Sequence, residues 1–294
     1  MIGNKQITVF TPTYNRAYII VELYKSLCNQ SNRNFEWVIV DDGSTDNTQE
    51  LITSFIDEKK IDIVYFKQAN GGKHRAINRG VSLALGELFF IVDSDDFLLP
   101  GSIDIIINKY YFAKKNYKIS GIAGRRQYRN GKIVGSQNFT YLVSNSLNIR
   151  NKHKITGDLV EVYELAKIKE FPFPEFENEK FCPEDLIWNR LAKKNELFFF
   201  NEGIYVTEYL EGGLTANIVK IRHLSPKASM LHYAELEHYN IPWIQKVKAN
   251  INFWRFSFSG PLTIFQNLNK VAIKNTIVGL AIGFLMYLND KIKL

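Results

Sequence analysis

The sequence predicts an α/β fold in which a mostly parallel sheet is flanked by helices. Two observations predict it. Strand-like and helix-like segments alternate four times within about the first hundred residues, the pattern of repeated strand–helix–strand units. Each strand also ends in a polar loop, so these loops gather along one edge of the sheet, where open α/β sheets bind their ligands.

The first strand is read at residues 7–10, running into Thr11, Pro12, Thr13, Tyr14, Asn15 and Arg16. Pro and Asn break it, and Ile20, Leu23 and Leu27 then recur at helical spacing. The second strand, residues 35–40, ends in Asp41, Asp42, Gly43 and Ser44. Asp46 with Gln49 three residues on resembles a capping box and marks a helix start. Residues 61–65 alternate as a third strand. Asn70, Gly71, Gly72 and Lys73 then turn into a helix that Gly86 is expected to close. The fourth strand, residues 88–92, is an unbroken apolar run, as expected of a strand buried on both faces.

That strand leads directly into Asp93, Ser94, Asp95 and Asp96. Three neighbouring carboxylates repel one another unless a cation compensates them. Hard oxygen donors suit Mg²⁺ or Mn²⁺, ions that often bridge to substrate phosphates. The alternative is a solvated acidic turn before a helix, which Pro100 and Gly101 would also suit. Asp93 and Asp95 have a D-x-D spacing, and on an extended segment they would face the same way. Lys73, beside a glycine pair at a helix start, offers a cation and free N–H groups to a phosphate.

These pieces, in this order, with a later Glu184-Asp185 pair before an apolar helical pattern, resemble the inverting family 2 glycosyltransferases of the GT-A fold. The resemblance covers about residues 5–195. It implies that Thr11, Pro12 and Tyr14 line a nucleobase and ribose pocket, and that Arg16 reaches the pocket or the diphosphate. It implies that Asp42 accepts a nucleobase imide N–H, which favours a UDP-sugar donor. Lys73 would meet the diphosphate. Asp93 and Ser94 would lie at the nucleotide, with Asp93 on the ribose or a metal-bound water. Asp95 would be the leading ligand of Mn²⁺ or Mg²⁺, and Asp96 could exchange roles with it. The family's general base is a carboxylate at a helix start, here Asp185 by the usual acidic pair. Relatives with this Pro-Glu-x-x-x-Trp-Asn-Arg spacing keep the Glu, so Glu184 stands beside it. Asp158 is a third candidate.

Other classes fit less well. No G-x-G-x-x-G follows the first strand, which disfavours a dinucleotide-dependent oxidoreductase. A sugar nucleotidyltransferase would want a glycine-rich, arginine-bearing loop there. A non-catalytic scaffold of the same fold would be expected to lose the metal or base carboxylates. The segment 125–132 reads as a basic hairpin facing the acceptor, and residues 171–174 (Phe-Pro-Phe-Pro) as a stiff extended linker. His153, His223, His232 and His238 have no interpretable context, although His223 or His232 could add a phosphate or metal contact.

The expected organisation is a GT-A domain over 1–215, its nucleotide half about 1–100 and its acceptor half about 101–215. A helical region over 216–294 follows. Cys28 and Cys182 are the only cysteines of 294 residues, and the N-terminus has no signal-peptide pattern, so a reducing cytoplasmic setting is expected. Residues 241–294 carry seven basic residues against Asp290 alone, which gives +6 of the chain's net +7. They also hold five Trp and Phe residues up to Phe258 and an uncharged run from Asn275 to Asn289. This composition predicts a tail that associates with an anionic membrane at its cytoplasmic face. The resemblance to the family 2 glycosyltransferases implies a lipid-linked saccharide acceptor at that position. The apolar core of that run, residues 277–288, is about 18 Å long as a helix, short of a bilayer's roughly 30 Å. Lying in the interface is therefore expected rather than spanning. A core helix or a homodimer contact is the alternative. No nucleic-acid motif is present, and no nucleic-acid partner is expected.

Overall fold

The computed structural model describes residues 5–135, 139–207, 217–260 and 263–293. The chain divides into two compact units, Met1–Pro172 with Leu191–Tyr209, and Phe173–Arg190 with Leu210–Leu294. The division at Pro172 falls within the Phe-Pro-Phe-Pro linker. Phe173–Arg190 therefore groups with the C-terminal helices, which a boundary drawn once along the chain does not provide for. The boundary expected at 215 lies outside the described residues.

The first unit is built on a nine-stranded sheet among the described residues. In chain order its first half is β1 (Ile7–Thr13), α1 (Ile20–Cys28), β2 (Phe35–Asp41), α2 (Thr48–Asp57), β3 (Ile63–Lys67), α3 (Lys73–Leu83) and β4 (Leu88–Ile91). β3, β2, β1 and β4 lie side by side and parallel. The chain thus winds outward from β1 in one direction and then returns to place β4 on its other side. That reversal opens a crevice between the C-terminal ends of β1 and β4, the usual ligand position in such sheets.

The second half is antiparallel in part. It runs β5 (Phe97–Leu98), α4 (Ser102–Asn116), β6 (Gly121–Gln127), β7 (Tyr141–Ser144), α5 (Ser146–Asn151), β8 (Leu159–Glu164), α6 (Leu165–Lys169) and β9 (Leu197–Val206), with α7 (Asp185–Ala192), most of which belongs to the second unit, between the last two in sequence. β8 inserts between β4 and β6, antiparallel to both. β9 runs parallel to β6 and pairs with β5 and β7 at the far edge.

Strand alternation sorts the core into two faces. Ile7, Val9, Trp37, Ile39 and Phe90 pack with Ile20, Leu23 and Leu27 of α1, Ile52 of α2 and Ile103 and Ile106 of α4. Phe10 and Phe89 point the other way and stack at 5.2 Å. There α3 crosses so closely that a Cβ on Gly80 would lie 2.1 Å from the Phe10 ring. α3 itself ends at Leu83. Gly86, expected to close it, is instead the point where the chain touches β1, donating its N–H to Thr8 Oγ1 at 2.9 Å.

The second unit is helical. After the α7 segment come α8 (Ile218–Leu224), α9 (Pro226–His238), α10 (Trp243–Ser257), α11 (Ile264–Asn267) and α12 (Ile273–Lys293). Its apolar centre is Met230, Phe253, Trp254 and Val271. A buried carboxylate ties three of these elements together: Glu237 of α9 accepts from Asn250 of α10 at 3.1 Å and from Asn275 of α12 at 2.6 Å. No helix among the described residues is long and apolar enough to cross a membrane.

Candidate active site

The site is assembled from loops at the C-terminal ends of β1, β2 and β4 and from the start of α3. Asp93 to Asp96 form a tight turn between β4 and β5, closed by Asp96 N–H donating to Asp93 C=O at 3.1 Å. The segment is not extended, so Asp93 and Asp95 do not share one direction. Each acid instead meets a different base. Lys73 Nζ lies 2.7 Å from Asp93 Oδ1, an Arg16 guanidinium nitrogen 3.8 Å from Asp95 Oδ2, and an Arg126 nitrogen 3.4 Å from Asp96 Oδ2. Arg16 follows β1, Lys73 opens α3 and Arg126 lies on β6, so the three cations converge from three elements.

Electrostatics divides the acids. Burial disfavours ionised Asp93, but the charges of Lys73 and Arg126 outweigh it and hold this carboxyl below the usual range. Burial and then the Asp93 charge raise Asp95. The same two causes push Asp96 up to about 6. The three carboxylates are matched in number by Lys73, Arg16 and Arg126, yet Asp95 and Asp96 remain disfavoured as anions. A cluster whose donors are carboxylate oxygens is chemically suited to a hard divalent cation, which Asp95 and its neighbours would hold once Lys73 and Arg16 turn to a bound diphosphate. Among the described residues no three His, Cys, Asp or Glu side chains are grouped closely enough to hold an ion by themselves.

Two of these groups lay outside the expected nucleotide site. Arg126 was expected at the acceptor within a basic hairpin. It is instead inside β6, 4.6 Å over the Tyr205 ring. Burial works against its charge, yet Tyr205, Asp93, Asp96 and Asp158 keep it firmly protonated. Tyr205 of β9 is the second. Its hydroxyl accepts the Asp93 main-chain N–H at 2.9 Å, and burial raises its pKa strongly. Nothing local in an apolar strand marks such a tyrosine. The hairpin turn itself is present at Tyr128–Lys132, closed by Tyr128 N–H donating to Lys132 C=O.

The β1 loop separates its candidates. Tyr14 is exposed and Pro12 half-buried, both at the crevice mouth. Thr11 is fully buried and falls on the same strand face as Ile7 and Val9. Its hydroxyl accepts the Trp37 indole N–H at 2.9 Å. Its side chain thus belongs to the core and not to a pocket lining, because strand residues alternate. Asn15 carries φ +53° and its side-chain oxygen accepts the Thr45 N–H at 2.8 Å, which joins the β1 and β2 loops. α2 begins at Thr48. Asp46 accepts from the Thr48 N–H and hydroxyl and from the Ala17 N–H, bridging to the turn before α1 rather than forming a capping box with Gln49.

Asp42 is buried, and its carboxylate is engaged by the next loop. Oδ1 accepts the Gly71 N–H at 2.9 Å and the Gln68 amide at 2.8 Å, and Oδ2 accepts the Gly72 N–H at 2.7 Å. Ser94 is buried within its turn.

Glu184 and Asp185 lie in the second unit. Asp185 is the first residue of α7 and exposed; Glu184 precedes it and is half-buried. Two anchors hold this segment. Glu179 accepts the Lys227 and Ala228 N–H groups at 2.8 and 2.9 Å, at the N-terminus of α9, where a carboxylate is favoured. Arg190 forms a two-pronged pair with Glu235 of α9 at 3.0 and 2.6 Å. Asp158 precedes β8 in the first unit and is exposed. His223 is bonded between Ser259 at 2.9 Å and Asp290 at 2.8 Å, and His232 is buried in α9. Burial pushes the Cys182 thiol up to about 12, which makes it a poor nucleophile.

The model of the Glycosyl transferase family 2 matches residues 8–166. That is more than half of the chain, and the chain belongs to this family. An uncharacterized glycosyltransferase of Rickettsia conorii is 32% identical over 136 residues, 46% of this chain and 22% of that protein. The Escherichia coli UDP-Glc:alpha-D-GlcNAc-diphosphoundecaprenol beta-1,3-glucosyltransferase WfgD is 26% identical over 210 residues, 69% of this chain and 76% of that protein. The chain thus spans well under half the length of some of its relatives and about three-quarters of others. Among solved structures, Staphylococcus aureus TarS 1–349 in complex with UDP-GlcNAc superposes with a TM-score of 0.64 at 20% identity, covering 96% of this chain and 89% of that one. A Pyrobaculum calidifontis mannosyltransferase in complex with GDP-Man and Mn²⁺ gives 0.57 at 15% identity, over 99% and 89% of the two chains. The mixed sheet with flanking helices is the fold these structures share.

Proposed function

We propose that this chain transfers a sugar, with inversion, from a UDP-sugar to a hydroxyl of a lipid-linked saccharide, at the cytoplasmic face of a membrane. The observation that carries the reading is the convergence of Lys73, Arg16 and Arg126 on the Asp93–Asp96 turn at the reversal point of the sheet. A nucleoside diphosphate needs such a mixture of cations and metal-ligating carboxylates. The WfgD likeness supports a lipid diphosphate on the acceptor, and the structural neighbours solved with UDP and UDP-GlcNAc support the donor.

In this reading the exposed Tyr14 ring stacks on the base and Pro12 borders the ribose. Asp42 serves chiefly by fixing the Gly71–Gly72 turn, which aims Lys73 and the N-terminus of α3 at the diphosphate. Lys73 leaves Asp93 for the leaving group, and Arg16 approaches it from β1. Asp95 would hold Mn²⁺ or Mg²⁺, with Asp93 and Asp96 beside it, and an ion bound there would supply Lewis-acid stabilisation of the departing diphosphate. Glu184 or Asp185 takes the proton from the acceptor hydroxyl, and Asp158 is the fallback base.

A donor screen by mass spectrometry tests the reading. UDP-, dTDP- and GDP-sugars are offered with Mn²⁺ and a short-chain lipid diphosphate disaccharide. Consumption of a UDP-sugar is expected. No turnover of any donor, together with no metal-dependent UDP binding by calorimetry, overturns it in favour of a non-catalytic scaffold.

A further inference from the structure

α12 is built inside out. The residues it buries are Asn275, Thr276, Gly279, Gly283 and Asp290. The residues it exposes include Ile273, Ile277, Leu285, Leu288 and Ile292, with Ile277 at 84% and Leu285 at 65%. The inner face is fixed by close packing and polar bonds within the second unit. A Cβ on Gly283 would lie 2.7 Å from the Ile251 carbonyl, and one on Gly279 would strike the Asn250 amide. Asp290 accepts Arg255 at 2.5 and 2.7 Å and pairs with His223. The helix therefore cannot roll its apolar face inward without breaking these contacts.

At 3.6 residues per turn the five exposed apolar residues fall within about 120° of arc. Lys274 and Lys291 fall within the same arc, at its two ends, and Lys293 follows. The one acid of the helix, Asp290, is buried on the opposite side. The outer face is thus an apolar strip capped at both ends by positive charge. A second copy of the helix is a poor cover for it. A parallel pair would set Lys274 against Lys274, and an antiparallel pair would set it against Lys291 and Lys293. Neither arrangement supplies an acid. An anionic lipid surface matches both features: acyl chains take the strip, and headgroup phosphates take the lysines.

We propose that the exposed face of α12 is a membrane-docking surface that lies flat in the headgroup region of an anionic bilayer. It deepens the reading above by naming the surface that brings the protein to a lipid-linked acceptor, and it rests on that reading for its purpose alone.

The test is flotation of the full chain with vesicles of phosphatidylcholine, alone or mixed with phosphatidylglycerol. The native chain floats with the mixed vesicles and much less with the neutral ones. Ile277→Ser/Leu285→Ser/Leu288→Ser weakens binding about a hundredfold or more. Lys274→Gln/Lys291→Gln/Lys293→Gln weakens it about fivefold per lysine, roughly a hundredfold in all. All six positions are exposed, so both variants keep the native circular dichroism and native UDP binding. If the native chain fails to float with anionic vesicles, or the serine variant floats as well as the native chain, the proposal is overturned. It is likewise overturned if the serine variant only splits a dimer in sedimentation. Flotation with no donor turnover would sink the transferase reading and leave this one standing.

Discussion

Asp42 holds Gly72: the carboxylate at the end of β2 accepts the Gly72 main-chain N–H at 2.7 Å, one residue before the lysine that opens α3. Gly72 carries φ +98°, so the turn needs a residue without a Cβ as well as an acceptor below it. Lys73 then reaches Asp93 at 2.7 Å. A chain of contacts therefore runs from β2 through the glycine turn to the tip of β4.

Asp42→Asn places an N–H₂ where two main-chain N–H groups need an acceptor. Stability is expected to fall by about 1–3 kcal/mol, the cost of leaving buried donors unpaired. UDP affinity is expected to fall about tenfold as Lys73 loses its aim. Gly72→Ala, which strains the same turn, should reproduce the affinity loss. Calorimetry with UDP checks both. Native affinity in Gly72→Ala alongside a loss in Asp42→Asn would mean that Asp42 contacts the base directly.

Lys73→Met removes the cation while keeping the length of the side chain. Hydrogen bonds to charged groups contribute about 1.5–3 kcal/mol, so UDP binding should weaken about ten- to a hundredfold, and uridine binding should not. Lys73 is partly exposed, so the melting temperature should move little. Equal losses for UDP and uridine would remove Lys73 from the diphosphate.

Asp95→Asn should abolish the enhancement of UDP binding by Mn²⁺ without unfolding the protein, because Asp95 sits in a polar turn outside the apolar core. Calorimetry with and without Mn²⁺ is the measurement. If the enhancement survives, the ligand role passes to Asp93 or Asp96.

The legible parts of this fold are those set by short-range physics. β1, β2 and β4 read as strands because they are short, mostly apolar runs that end in turn residues, and Asp93–Asp96 stand out because three acids end the wholly apolar β4. The insertion of β8 between β4 and β6 could not be read, because strand order depends on pairings between distant segments. Arg126 reaches Asp96 across 30 residues and Tyr205 reaches Asp93 across 112. No local pattern encodes those meetings. Thr11 failed as a pocket residue for a reason that was available: counting by two from Ile7 puts it in the core. The tail read correctly as apolar and basic, but composition does not say which face of α12 packs, and that face is the polar one.

Glu184 immediately precedes α7 and Asp185 opens it, so two adjacent carboxylates compete for one role that both cannot fill. General-base removal costs about 10²–10⁴ in rate, so one of Glu184→Gln and Asp185→Asn should show that loss in turnover with UDP affinity unchanged. The other should stay within about tenfold of native. Native rates in both variants would move the search to Asp158, with Asp158→Asn as the next measurement.

His232 gives the second unit a pH dependence. Burial, and then the charge of Arg222, push its pKa down to about 3. The folded protein therefore keeps the imidazole neutral, while the unfolded chain takes up a proton below about 6.5. Because the unfolded state binds more protons in that window, stability is lost as pH falls from about 6.5 towards 3, by up to about 1.4 kcal/mol per pH unit. Above about 6.5 this group has no effect. His232→Leu removes the titration and fills the buried site with an apolar side chain. Urea midpoints measured at pH 7 and pH 5 should fall further in the native chain than in His232→Leu. Other titrating groups are common to both proteins and cancel in that comparison, so parallel declines would mean that His232 is hydrated or protonated in the fold.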